Sequence, residues 1–183
     1  MKSLNLHIYR PRLLKALNED DFDRQIEFIE WIQIMSQVDT DFLRWILWTD
    51  EAIFKTNGLI NRHNCVYYDF ENPNVIITQE LNAPGVYVWA GIYSYTIISP
   101  YFYGGLVNGP KYLETLEEVK IKLDNKDIFR GKRIIWQLDG APFHYAVVVR
   151  DFLNKNFNGW IGRRWTTEWP PRSPDLTPCD FSM

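Results

Sequence analysis

The sequence predicts an α/β domain whose mixed sheet is antiparallel in its first half, parallel in its second, and flanked by helices. Three observations predict it. A helical apolar pattern opens the chain after a short lead-in. Two apolar runs joined by a tight turn, Val86 to Tyr93 and Thr96 to Tyr103, make an antiparallel hairpin. From Ile134 onward, short apolar runs alternate with helical stretches, as parallel pairing through crossovers requires. At 183 residues and 46% hydrophobic content, the chain is long enough for one domain with its own core.

Residues 1–17 carry Lys2, Arg10, Arg12 and Lys15 around Pro11 and read as a connector. Asn18-Glu19-Asp20-Asp21 then supplies capping and first-turn acids. Phe22, Ile26, Ile29, Ile32 and Met35 follow at helical spacing and predict an amphipathic helix of about 16 residues packed through them. Leu43 to Trp48 is short, aromatic and bounded by acids, which reads as a strand delivering Asp50 at its end. Asn61 to Asp69 reads as a further strand. In the hairpin, Pro100 confines its strand to a sheet edge or a bulge, because proline donates no ladder hydrogen bond. The Asn108-Gly109-Pro110 turn leads into a helix from Lys111 to Leu123. Ile134 to Leu138 is a compact strand ending at Asp139, and Pro142 opens a helix to about Phe157 with Tyr145, Val149 and Phe152 on its apolar face. Trp165 to Trp169 reads as a last strand before a proline-rich end. No internal repeat or low-complexity tract interrupts this order.

Composition narrows the function classes. Net charge is -3, whereas free-standing DNA-binding modules are usually basic, so any DNA contact must rely on local charge or on a separate region. Arg130, Lys132 and Arg133 form one basic cluster, and Arg163, Arg164 and Arg172 another; their simplest reading is solvated surface. Cys65 and Cys179 are too few and too far apart for a disulfide framework, no C-x-x-C pair points to zinc, and a reducing compartment is the default. No apolar run is long enough to span a membrane. The eight tryptophans fill a core, or in part stack on unpaired bases.

The chemistry concentrates in three aspartate-bearing segments: Trp48-Thr49-Asp50-Glu51, Gln137 to His144, and Trp169 to Phe181. Carboxylates are the hard oxygen ligands that Mg²⁺ or Mn²⁺ prefers, and carboxylates gathered from distant positions can hold two metals for phosphoryl transfer. An aspartate at a strand end also has plainer uses, as a turn former or a helix cap. Glu51 points away from Asp50 if both lie in one strand, which argues against Glu51 as a ligand. Two readings of His144 stand: a contact to phosphate or metal-bound water, or a hydrogen-bonded structural histidine. His7 and His63 carry no partner spacing. No Gly-rich phosphate loop, Ser/His/Asp arrangement or H-E-x-x-H occurs.

These segments resemble those of the mariner-like (Tc/mariner superfamily) DDE/DDD transposases. Asp139-Gly140-Ala141-Pro142 is similar to the D-[GN]-A-P that begins at their second acid. Trp48 to Phe54 resembles the segment of the first acid. Trp169 to Phe181 resembles W-P-[PA]-x-S-P-D-L-x-P-x-[DE]-[FY], the most specific of the three. Arg62-His63-Asn64-Cys65 and Val88-Trp89-Ala90-Gly91-Ile92 also look like family segments, so the resemblance runs from about Pro11 to Phe181. It implies an RNase H-like catalytic core and Asp50, Asp139 and Asp180 as catalytic, metal-holding carboxylates. Two Mg²⁺ (or Mn²⁺) ions, DNA cleavage and strand transfer at transposon ends, nuclear localisation, and a homodimer of the full-length protein follow from the same resemblance. Asp175 is in that pattern a motif residue and not a ligand.

Departures from the family pattern set further expectations. Phe143 stands where a second proline is usual, and the stretch between Asp139 and Asp180 is somewhat long. Residues 1–17 read as the connector from a missing N-terminal DNA-binding region, and residues 18–183 as a catalytic domain truncated at its C-terminus. Such a fragment is expected to bind DNA weakly and without sequence preference, and to have doubtful activity. The alternatives are a catalytically inactive transposase-derived remnant or interaction module, and an RNase H-like nuclease acting on RNA–DNA hybrids.

Overall fold

The sheet is ordered around one long strand, β2, which runs from Ile46 to Lys55 at the centre of five. The computed structural model describes residues 7–9, 17–55, 67–71, 84–126 and 129–179. Within these, β4 (Gly85–Tyr93) and β5 (Thr96–Tyr103) join β2 in antiparallel fashion. On its other side β2 pairs in parallel with β6 (Ile135–Gln137), which pairs in parallel with β7 (Gly159–Ile161). The order β5-β4-β2-β6-β7 is the mixed sheet expected from the sequence, antiparallel first and parallel second. A separate two-stranded sheet joins β1 (His7–Tyr9) to β3 (Tyr67–Asp69). The stretch read as a connector thus contains a strand, which the Pro11 signal hid.

Pro100 sits where proline can sit. β5 is an edge strand, and the register slips between the pairs Trp89↔Tyr101 and Gly91↔Ile98, so Ser99 and Pro100 occupy a bulge.

Helices cover the two faces unequally. On one face lie α2 (Gly109–Asn125) and α3 (Val147–Asn156). Asn108 caps α2 by accepting from Lys111 N at 3.0 Å. Tyr112, Leu116, Val119 and Leu123 of α2 pack with Val149 and Leu153 of α3 onto Leu47, Trp89, Trp136 and Trp160. Burying each large apolar side chain contributes roughly 1.5–3 kcal/mol. Gly109 allows the start of α2 to approach the turn before α3: a Cβ there would meet the Ala146 Cβ at 2.5 Å.

On the opposite face lies α1 (Asp21–Val38), two residues longer than the sequence pattern suggested. Its Phe28, Trp31, Ile32 and Met35 pack on Phe42, Ile46, Ile135, Ile161 and Trp169. The expected packing face is only half right. Ile32 and Met35 pack, but Phe22 is 62% exposed and Ile26 and Ile29 are also exposed, because the platform of Ile46, Ile135 and Ile161 meets the helix through Phe28 instead.

Three further expectations change. Phe42–Trp45 is a 3₁₀ turn, so the strand begins at Ile46 and runs through Asp50 instead of ending there. The helix expected from Pro142 to Phe157 breaks in two: a 3₁₀ turn spans Pro142–Tyr145, and Ala146 at ψ 141° interrupts before α3 begins. Trp165 to Trp169 is no strand. Gly162 anchors a loop there, donating to Thr167 O at 3.3 Å and accepting from Trp165 N at 3.4 Å, while the third parallel position is filled by Gly159–Ile161. A left-handed Arg164 (φ 59°) takes that segment out of extended geometry.

Beyond its two ladder pairs with β2, the end of β6 is held by a clamp. Thr49 N donates to Gln137 Oε1 at 3.1 Å and Thr49 Oγ1 donates to the Gln137 carbonyl at 2.6 Å, with both residues buried. Thr49→Val, which keeps the shape and removes the hydroxyl, should lower unfolding free energy by about 1–3 kcal/mol, against a change within about 0.5 kcal/mol for Ile53→Thr at the exposed end of the strand. Urea denaturation with unchanged m-values checks this; equal effects of the two variants would show that the clamp carries no stability.

Candidate active site

The clamp fixes where the acidic residues emerge. Residues of β2 alternate between faces: Ile46 and Trp48 face α1, while Leu47 faces α2 and α3. Asp50 continues the α1 side and Glu51 the α3 side. Asp139 follows β6 by two residues, at the level where β2 carries both acids. Asp50, Glu51 and Asp139 all line one cavity of about 770 Å³. Asp50 and Asp139, expected at the ends of adjacent strands, do come from neighbouring strands, but Asp50 lies mid-strand, opposite Ala90 of β4. It overhangs because β6 is short.

Both aspartates also serve the backbone. Asp139 Oδ1 accepts from Ala141 N at 2.8 Å, forming the turn into Pro142, and Asp50 Oδ1 accepts from Glu51 N at 2.8 Å. The plain readings of these residues and their place in the cleft therefore hold together. Each carboxylate has its rotamer restrained before any ligand arrives.

His144 joins two acids. Its Nδ1 lies 2.7 Å from Asp139 Oδ1 and its Nε2 lies 3.2 Å from Glu51. The imidazole is buried at the end of the 3₁₀ turn, with the rings of Tyr112 and Phe143 each 4.4 Å away. Phe143, the departure from the family's proline, packs into the core against Tyr112 at 5.4 Å. Burial pushes the His144 pKa down, but the Glu51 charge and the contacts to Asp139 and Glu51 outweigh it and raise the group from 6.5 to about 10. Burial, followed by the Glu51 charge, also pushes the Tyr112 hydroxyl well up. Of the two readings of His144, the structure supports the hydrogen-bonded one. Glu51 does point away from Asp50, as the strand period requires, yet it reaches Asp139 and His144 by turning toward α3. The partners of Glu51 come from the loop after β6 and not from its neighbours on β2.

Glu51, Asp139 and His144 offer ligand atoms within 4.8 Å of one another, a spacing suited to a divalent cation. Two carboxylates with Asp50 in the same cavity form an oxygen-rich set that fits Mg²⁺ or Mn²⁺ better than the softer-ligand metals. His144, hydrogen-bonded through Nε2 to Glu51 and with Nδ1 in ion-pair range of Asp139, fits the role of an outer partner that orients the carboxylates. Asp180 lies outside the described residues, as do His63 and Cys65. Asp175 sits in a 3₁₀ turn, Pro174–Leu176, and does not line the cavity. The side chain of Cys179 donates to Trp48 O at 3.5 Å, so the proline-rich segment returns to β2 beside the acids.

Arginines complete the cavity wall. Arg24, Arg163, Arg164 and Arg172 line it together with the acids, so the second basic cluster is part of the cleft and not merely solvated surface. Arg172 makes a two-point contact with the carboxylate of the buried Asp21, which holds that acid below its ordinary pKa. Gln25 Nε2 donates to Ser173 Oγ at 2.9 Å. These contacts fasten the proline-rich segment to α1. Arg172, in left-handed geometry at φ 55°, is held there by them.

No protein-family model matches this chain, and no curated protein sequence matches it. Solved structures do. The chain is similar to the Mos1 transposase catalytic domain solved with raltegravir and Mg, at a TM-score of 0.66 and 22% identity over 91% of this chain and 70% of that one. A crystal structure of the catalytic domain of Mos1 mariner transposase matches at 0.66 and 22%, over 93% and 71%. The Mos1 mariner paired end complex with Mn matches at 0.68 and 22%, over 94% of this chain and 50% of that one. The chain shares the RNase H-like fold of these Mos1 structures, and it spans about half the length of the Mos1 chain in the paired end complex.

Because the folded pKa of His144 exceeds its ordinary value, its contribution to stability is complete below pH about 6.5 and is lost as pH rises through about 10. In metal-free buffer, the difference in urea midpoint between the wild type and His144→Gln should therefore shrink from pH 6.5 toward pH 10. A difference that is constant or grows with pH would mean that His144 is held neutral.

Proposed function

We propose that this domain is a mariner-like transposase catalytic domain that cuts DNA strands at transposon ends and joins them to target DNA. The observation that carries the reading is the meeting of Asp50 and Asp139, from neighbouring strands, in one arginine-lined cavity within an RNase H-like fold. The motif resemblance adds Asp180 as the third carboxylate. Asp50, Asp139 and Asp180 would hold two Mg²⁺ or Mn²⁺ ions. The Mos1 structures solved with Mg and with Mn support this choice of metal. When bound, the metals would lower the pKa of the attacking water or 3′-hydroxyl and stabilise the leaving oxygen.

The residues of the chain do the positioning. Ala141 N and His144 keep Asp139 in one orientation, and the backbone of Glu51 does the same for Asp50. Two-metal chemistry tolerates little looseness, so such restraint is a requirement of the reaction. Glu51, nearly buried, holds the imidazole from its far side. DNA is the proposed partner, on the strength of the Mos1 paired end complex and pre-cleavage transpososome. A homodimer of the longer protein and a nuclear setting complete the proposal.

Two outcomes test it. Asp50→Asn and Asp139→Asn should each abolish Mg²⁺-dependent nicking of supercoiled DNA, and Asp180→Ala should do likewise; preferential cutting of an RNA–DNA hybrid would favour the nuclease reading instead. Independently of turnover, Mn²⁺ at a hundred times its dissociation constant should stabilise the folded protein by about 2.7 kcal/mol. Glu51→Gln should weaken that affinity by about 10–100-fold, as loss of an outer partner does, while Asp139→Asn should remove the effect. Equal Mn²⁺ stabilisation of wild type and Asp139→Asn would place the metal elsewhere.

A further inference from the structure

We propose that Arg163 and Arg164 form a phosphate-binding subsite that grips the backbone of the DNA strand entering the acidic cavity, an inference that rests on the DNA-cleaving reading above. Four arginines line the cavity, but the fold has already matched two of them. Arg24 Nη2 lies 3.0 Å from Glu168 Oε2, and Arg172 is bound at two points by Asp21. Arg163 and Arg164 differ: among the described residues, neither guanidinium makes an ion pair. Both are exposed. Four carboxylates line the same cavity (Asp50, Glu51, Asp139 and Glu168), yet among the described residues none forms an ion pair with either guanidinium, which leaves both free to meet a phosphodiester backbone.

The subsite is also built in advance. The Arg164 guanidinium lies over the Tyr145 ring at 5.2 Å, and Arg150 covers the same ring at 4.4 Å. A stacked guanidinium loses less freedom when it binds phosphate, and its planar fork matches phosphate oxygens. The backbone under it is fixed. Arg164 is left-handed, its N–H donates to Glu168 Oε1 at 3.2 Å, and the next residue, Trp165, stacks on Trp160 at 4.5 Å. A non-glycine residue stays in that conformation only where its surroundings hold it, and such positions gather at ligand clamps.

The test is the salt dependence of binding to a short labelled DNA duplex, measured without divalent metal so that neither cleavage nor metal bridging contributes. Arg163→Ala and Arg164→Gly (glycine keeps the left-handed turn) should each reduce the slope of log K against log salt by about 0.9, and the double variant by about twice that. Lys155→Ala removes the same charge from the end of α3, outside the cavity, and should leave the slope unchanged. If the double variant retains the slope of Lys155→Ala, the subsite is wrong, even when wild-type cleavage upholds the transposase reading. If the arginine slopes fall as expected and Mg²⁺ yields no cutting, the subsite stands and the catalytic reading fails. A wild type that binds no DNA at low salt overturns both.

Discussion

The site depends first on the Thr49–Gln137 clamp. β6 is three residues long and makes only two ladder pairs with β2, which would leave its end loosely held. Gln137 extends the attachment with its side chain and its carbonyl, both on Thr49. The next residue on β2 is Asp50, and Asp139 follows two positions after Gln137. One buried polar contact thus sets the level of both acids. Parallel strands alone would not do so, since a slip of one residue moves every side chain to the other face.

Around that level the structure manages charge by pairing. Glu51 is buried enough that an unpartnered carboxylate would be costly, and His144 supplies its hydrogen-bond partner while also lying against Asp139. The imidazole therefore links a buried acid to a half-exposed one. Its aromatic neighbours, Tyr112 and Phe143, tie the site to the core under α2. Stability and site geometry share these residues, so substitutions here are expected to affect both.

The proline-rich segment is the other wall of the cleft, and α1 holds it. Trp169 packs on Phe28, and the Arg172–Asp21 and Gln25–Ser173 contacts lie nearby. The segment's prolines limit its own conformations, which reduces the entropy lost in fixing it. The consequence is a cavity in which Asp50 and Glu51 come from β2, Asp139 from the loop after β6, and the cations from α1 and the segment that follows β7.

Local signals in the chain were enough for the mixed sheet, the placing of Pro100 at an edge or bulge, the turn that leads into α2 and the three aspartate-bearing segments. These are local: they rest on apolar periodicity, on what proline and asparagine do to a backbone, and on motif identity. Tertiary structure decided the rest. Where β2 begins and ends depends on its neighbours β4 and β6, so Asp50 fell mid-strand although its own segment suggested an end. The face α1 buries was chosen by Ile46, Ile135 and Ile161, residues remote in sequence, and Phe28 won over Phe22. Glu51 and His144 meet across the gap between a strand and a turn 93 positions later, a distance at which no spacing rule operates. The roles of the arginines were decided the same way: Arg172 found Asp21, while the guanidinium groups of Arg163 and Arg164 form no ion pair among the described residues. Pairing of charges is a property of packed surfaces, and only the folded chain reveals which are matched.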